Sequence, residues 1–212
     1  YSDVEGWQNH QFWGNGEFAL TFGNYNVNIT VPADHIVDAT GVLQNRKEVY
    51  TKDMMKRYEA AKKSYDKPVI IVTQEEATAK ESSFAEKTKT WKFKTEAGAP
   101  VRDFAFATSR KYIMDAQAVK MGNRDVMAVS LYPKEGNPLW EEYSTKAVVQ
   151  TLQTYSKFTF DYPYNKAISV SAKSIGMEYP MICFNFGRPN ADGTVSDRTK
   201  FGMISVIIHE VG

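Results

Sequence analysis

The chain has 212 residues, 42% of them hydrophobic, with 26 basic against 25 acidic side chains and a formal charge of +1. That length supports one large domain or two small ones with a sizeable core, and the even charge balance argues against a nucleic-acid or membrane-surface protein held by bulk electrostatics. The single cysteine, Cys183, excludes an internal disulfide framework and any multi-cysteine metal site, and no apolar stretch is long enough to span a bilayer.

No signal peptide opens the sequence. Residues 1–7 do not read as a natural N-terminus, and both ends look cut. Aromatic residues make up 13% of the chain, which suits β-structure, and the first third reads as strands. Phe18, Leu20 and Phe22 alternate with Glu17, Ala19 and Thr21; then Tyr25, Val27, Ile29 and Val31 alternate with Asn24, Asn26, Asn28 and Thr30. The apolar parity slips by one at Gly23 and Asn24, the mark of a bulge or tight turn, and three asparagines on one face make that face wet. After a turn at 32–34, residues 35–43 read as the next strand. Residues 51–65 read as a helix with Met54, Met55, Tyr58, Ala61 and Tyr65 on one face, Thr51 as cap and Pro68 preventing continuation. Residues 69–72 form a short buried strand, and Thr73 to Glu76 fits a capping box for a short helix. Trp91 with Phe93, and Phe104 with Phe106, mark two more strands. Residues 111–120 and 125–132 read as a hairpin joined at Gly122 and Asn123.

The character changes after Tyr132. Residues 133–138 read as a linker, with Asn137 capping a helix that has Pro138 at its first position. Leu139, Tyr143, Ala147, Val148, Leu152 and Tyr155 then keep helical spacing over roughly five turns. Tyr162-Pro163-Tyr164 is an extended connector, residues 168–172 and 181–184 read as strands, 189–193 as a loop, and a final helix starts near Asp197. The expected division is a β-rich part over 1–132 and the start of an α+β part over 133–212.

The residues that could carry chemistry lie in this second part. The run from Phe201 to Gly212 is apolar on nearly every side of a helical wheel, so as a helix it should be buried. It ends in His209-Glu210-Val211-Gly212. In H-E-x-x-H on a helix, two imidazoles one turn apart reach one zinc ion, and the Glu between them activates the bound water; the sequence supplies H-E-x-x. The plainer reading is a polar helix end. Glu178, in Ser174-Ile175-Gly176-Met177-Glu178-Tyr179-Pro180, is either a partly buried carboxylate ready to pair with a cation or an exposed loop residue, and Gly176 permits close backbone approach by a ligand. His10 and His35 read as structural, and Cys183 as a small buried hydrophobe. No Ser-His or Cys-His nucleophile pair and no Gly-rich phosphate loop is present.

The order of these features, together with Gly176-Met177-Glu178 and the apolar helix into His209-Glu210, resembles the aminopeptidase N family of zinc metallopeptidases, gluzincins with a thermolysin-like catalytic domain. The resemblance implies an α+β chain: a β-rich, saddle-like N-terminal domain followed by the beginning of a thermolysin-like α+β catalytic domain. Residues 16–32 and 101–109 look like the later strands of the saddle-like domain. The family's G-x-M-E-N stands here as Ile175-Gly176-Met177-Glu178-Tyr179, so its leading Gly is Ile and its closing Asn is Tyr. By resemblance, Glu178 would bind the free α-amine of a peptide while the adjacent backbone, at Gly176 and Met177, aligns the substrate, His209 would be the first zinc ligand and Glu210 the general base. The second His, the Glu ligand and the oxyanion Tyr would come from the rest of the catalytic domain, so the fragment alone should hold no zinc and be inactive. The expected partners are peptides with a free N-terminus, and the family's exported bacterial members point to the periplasm or cell surface. The rival reading is a non-catalytic β-rich interaction module of the same family.

Overall fold

The computed structural model describes residues 3–7, 11, 13, 14 and 20–212; His10 and the expected strand residues 16–19 lie outside them. In chain order come β1 (Asn26–Pro32), β2 (Ile36–Ala39), β3 (Val42–Leu43), α1 (Arg46–Val49), α2 (Lys52–Ala61), β4 (Val69–Val72), α3 (Gln74–Glu81), β5 (Thr88–Lys94), β6 (Phe106–Ser109), β7 (Ile113–Met121) and β8 (Arg124–Tyr132). A 3₁₀ turn follows, then α4 (Leu139–Phe158), β9 (Lys166–Ser171), β10 (Met177–Tyr179), β11 (Ile182–Asn185) and α5 (Asp197–Val211).

The middle layer is a six-stranded sheet ordered β10-β11-β9-β8-β7-β4. Strands β7 and β8 pair antiparallel along their whole length, from Ile113 opposite Tyr132 to Met121 opposite Arg124. Strands β8, β9 and β11 run parallel, and α4 makes the crossover from β8 to β9 that a parallel pair requires. Because β7 and β8 are buried on nearly every residue, each of their faces must meet another layer. Met114, Ala116, Ala118, Met127, Val129, Leu131, Ile168 and Val170 face the smaller sheets β1-β5-β3 and β2-β6, where Trp91 and Phe93 are fully buried. The opposite parity, Ile113, Val119, Val126, Ala128, Tyr132 and Ala167, faces α4 and α5 around Trp140, Leu152 and Met203.

The six-stranded sheet takes β4, β7 and β8 from before the expected 132/133 division and β9, β10 and β11 from after it. That division therefore cuts one hydrogen-bonded sheet; the switch in apolar period at Tyr132 marks the passage from a hairpin to its crossover helix within one layered structure. Residues 35–43 form two strands, because the chain turns at Thr40 and Gly41, where Gly41 has φ +86° and a Cβ would meet the Lys94 carbonyl at 2.9 Å. Thr51 caps α2, accepting from Met54 N at 3.2 Å, but the helix ends at Ala61 rather than at residue 65. The capping box at Thr73 and Glu76 is present in both directions. Asn137 precedes the N-cap, Pro138, and its Oδ1 accepts from Glu141 N at 3.4 Å. His35 Nδ1 lies 3.0 Å from Thr108 Oγ1, across the β2–β6 pair.

Two buried polar clusters join the layers. Lys166 Nζ donates to Asp38 Oδ1 at 2.5 Å, linking β9 to β2; burial lowers the lysine's pKa while Asp38 opposes that shift. On the helical face, the Asp115 carboxylate accepts from Tyr132 Oη at 2.7 Å and from the Thr145 hydroxyl of α4. Ser130 Oγ lies 2.7 Å from Thr145 Oγ1 and donates to Ser144 Oγ, which donates to Ser169 Oγ at 3.1 Å; Asn185 Nδ2 donates to the same Ser169 oxygen.

Burial raises the Asp115 carboxyl to about 7, against the lowering effect of the Thr145 and Tyr132 hydroxyls. The folded chain therefore keeps a proton that the unfolded chain loses near the usual carboxyl value of about 4. The stabilising contribution of this group is complete below that value and is lost as pH rises through about 7. Thermal unfolding of the wild type should show Tm falling across this window, and Asp115→Asn, which stays neutral, should flatten the fall. An unchanged slope in the variant would assign the titration to another group.

Candidate functional site

Strand β10 is the edge of the sheet and forms a hairpin with β11, Met177 opposite Phe184, Glu178 opposite Cys183 and Tyr179 opposite Ile182. At its turn Met181 takes φ 69°, uncommon for a residue with a side chain. The β-rich layer holds that turn: Thr40 Oγ1 donates to Pro180 O at 2.8 Å, and Gly41 N donates to Met181 Sδ at 3.2 Å. The bend at Thr40 and Gly41 thus supports the hairpin that carries Glu178.

Helix α5 starts at Ser196, whose side chain accepts from Thr199 N at 3.1 Å. Met203, Val206 and Ile207 are buried, whereas Phe201, Ile208 and His209 are exposed. The expectation of a helix buried all round is therefore corrected: α5 buries one stripe, at the i, i+3, i+4 spacing, against α4 and β11. Glu210 continues this stripe. A Cβ on Gly176 would collide with Glu210 Oε1 and come within 2.8 Å of Val206 Cγ2, so the close approach that Gly176 permits is that of the Glu210 carboxylate. Cys183 Sγ donates to Glu210 O at 2.9 Å, tying the last turn of α5 to β11. Burial pushes the Cys183 thiol up to about 12, so it stays protonated at neutral pH and behaves as a small apolar side chain.

A cleft of about 290 Å³ opens where the β-rich layer, the hairpin and the end of α5 meet, lined by Arg102, Tyr162, Tyr164, Glu178, Tyr179, Cys183 and Glu210 among others. Of the expected site residues, Glu178 and Glu210 share this cleft and Gly176 sits against Glu210. Met177 is half-buried in β10, on the strand parity opposite to Glu178. His209 is exposed and is not among the residues lining the cleft. Sequence reasoning missed Arg102, whose Nη2 donates to Glu178 Oε1 at 3.3 Å; the two residues are 76 apart in the chain, and nothing local to Val101-Arg102-Asp103 marks the partner.

Zinc is the metal that the sequence resemblance implies. A catalytic zinc takes three protein ligands and a water. Around His209 the chain offers one imidazole, and among the described residues no group of three His, Cys, Asp or Glu side chains could hold a metal. The residues present do not by themselves fit a zinc centre.

No protein-family profile matches the chain, and no curated protein sequence matches it. Solved structures do. The M1 zinc metallopeptidase from Deinococcus radiodurans is similar over 91% of this chain and 34% of its own, with TM-score 0.55 and 13% identity. A two-domain M1 zinc metallopeptidase variant bound to L-arginine gives the same coverage and identity with TM-score 0.53. Legionella pneumophila aminopeptidase A in complex with aspartic acid is similar over 89% of this chain and 19% of its own, with TM-score 0.56 and 10% identity. The chain thus spans about a third or less of the length of these structures. At such identities the likeness is one of fold: a mixed α+β arrangement shared with part of the M1 zinc metallopeptidases.

Proposed function

We propose that the chain is part of a zinc-dependent aminopeptidase, the later portion of its β-rich domain and the beginning of a thermolysin-like catalytic domain. It would remove N-terminal residues from peptides. The observation that carries this reading is the meeting of Glu178, from an edge strand, with Glu210, from the last turn of α5, in one cleft. The shared fold with M1 metallopeptidases supports it.

An exopeptidase has to hold the free amine before the first peptide bond can be aligned for attack. Glu178, on a short strand anchored from behind at Pro180 and Met181, is the carboxylate for that ammonium. Glu210 would take a proton from the attacking water and return it to the leaving amine; Gly176 leaves room for its carboxylate. The Tyr179 ring, which replaces an amide side chain in the family pattern, meets the Phe184 ring edge-on at 6.0 Å and lines the same cleft. His209 would be one zinc ligand, with the second His and the Glu ligand supplied by the rest of the catalytic domain.

Two measurements test this reading. Elemental analysis of the dialysed 212-residue chain should find no stoichiometric zinc and no peptidase activity; one zinc per chain, lost on His209→Ala, would contradict it. In the whole enzyme, Glu178→Gln keeps the shape and removes the charge. It should lower kcat/KM roughly ten- to a hundred-fold on peptides with a free amine. The slow cleavage of N-acetylated peptides should stay nearly unchanged, as should zinc content. Equal loss on both substrate types, or loss of zinc, would make Glu178 a structural or metal-shell residue.

A further inference from the structure

Arg102 is held on both sides by its neighbours. Val101 before it is fully buried and bridges Gly23 through two backbone hydrogen bonds of 2.9 and 3.0 Å. Asp103 after it folds its carboxylate back to accept from Phe104 N at 2.7 Å. The guanidinium is thereby presented to the cleft from the β-rich layer, opposite the hairpin that carries Glu178.

The contact between the two is incomplete. A guanidinium has five N–H donors and a carboxylate has two acceptor oxygens. Among the described residues, Arg102 makes one hydrogen bond, 3.3 Å long, from Nη2 to Glu178 Oε1. Both side chains remain about a third exposed, at 33% and 38%. A single ion pair of that geometry and exposure adds little stability. For a site meant only for an ammonium group, an adjacent fixed cation is also unfavourable, because it repels the ligand that Glu178 attracts. The arrangement suits a ligand carrying an ammonium and a carboxylate a few ångströms apart, since each charge then meets its opposite.

We propose that Arg102 is a specificity-determining residue that selects substrates whose N-terminal residue is acidic, the side-chain carboxylate lying on Arg102 while the α-ammonium lies on Glu178. The inference rests on the aminopeptidase reading and gives it a substrate class. In a peptide the first residue has no free α-carboxylate, so the carboxylate must come from Asp or Glu. A released free amino acid carries the same pair of charges through its own α-carboxylate, and the two sources separate by experiment.

The whole enzyme is assayed on Glu-, Gln-, Ala- and Lys-p-nitroanilide. The wild type should favour Glu over its isostere Gln by about ten-fold or more in kcat/KM. Arg102→Gln should erase most of that ratio and raise turnover of the Lys and Ala substrates, a gain that misfolding cannot produce. Arg102→Lys, which keeps the charge without the fork, should retain part of the Glu preference. Equal loss on all four substrates in Arg102→Gln would overturn the proposal and leave Arg102 as a support for Glu178. A changed inhibition constant for free alanine with an unchanged Glu/Gln ratio would also overturn it, by assigning Arg102 to the α-carboxylate of the product. A wild type that hydrolyses none of the four would overturn the peptidase reading itself.

Discussion

A carboxylate in the middle of a strand buried on both faces must be answered by donors, and the answer given to Asp115 fixes how the helical layer sits on the sheet. Tyr132, from the paired strand, and Thr145, from the second turn of α4, both donate to it. The chain of hydroxyls then continues through Ser130 and Ser144 to Ser169 on β9, where Asn185 of β11 also donates. A slip of α4 by one residue would replace Thr145 with a residue on another face and leave one oxygen of the buried Asp115 carboxyl without its donor. Apolar packing alone tolerates many such slips; this network does not. It therefore sets the register of α4 against β7, β8 and β9, and β9 in turn sets β11, the strand whose hairpin carries Glu178.

The cleft is a product of three layers meeting, and no local segment makes it. The β-rich layer contributes Arg102 and the clasp of Thr40 and Gly41 on the Pro180–Met181 turn. The sheet contributes its edge strand. The helical layer contributes Glu210, brought against Gly176 and tied to Cys183. The buried Lys166–Asp38 pair joins the first layer to the second on the other side of the same strand, β9. A buried pair of this kind is weak evidence for stability, but it costs heavily if the layers separate in water-poor surroundings with one partner left behind.

Much of this could be read in the sequence wherever one neighbourhood decides the outcome. The alternation of Val27, Ile29 and Val31 with asparagine predicts β1, and Thr73 with Glu76 predicts the start of α3. The spacing from Leu139 to Tyr155 predicts α4, and the apolar run after Asp197 predicts α5. Sequence reasoning fell short where partners far apart decide. The single-face burial of α5 depends on what packs against it: Phe201 and Ile208 are as apolar as Ile207, and composition cannot say which of them meets α4. The break at Gly41 is dictated by the Lys94 carbonyl across the sheet. The division expected after Tyr132 rests on a real change in period, yet period reports the element and not the layer to which it belongs. Asp115, Asp38 and Lys166 are visible as charges in apolar runs, but their partners are not.

The four tryptophans are spread unevenly through this architecture. Trp7 and Trp13 are 84% and 82% exposed, while Trp91 and Trp140 are fully buried, one on each side of the six-stranded sheet. Intrinsic fluorescence of the chain is therefore a sum of two wet indoles and two dry ones. The dry pair divides cleanly, Trp91 reporting on the β-rich side and Trp140, whose Nε1 donates to Gly187 O at 2.7 Å, on the helical side. A chain that keeps one buried tryptophan and replaces the other three with phenylalanine turns each core into its own optical channel. Denaturation followed through the two channels then reports whether the layers on either side of the sheet come apart together or in sequence.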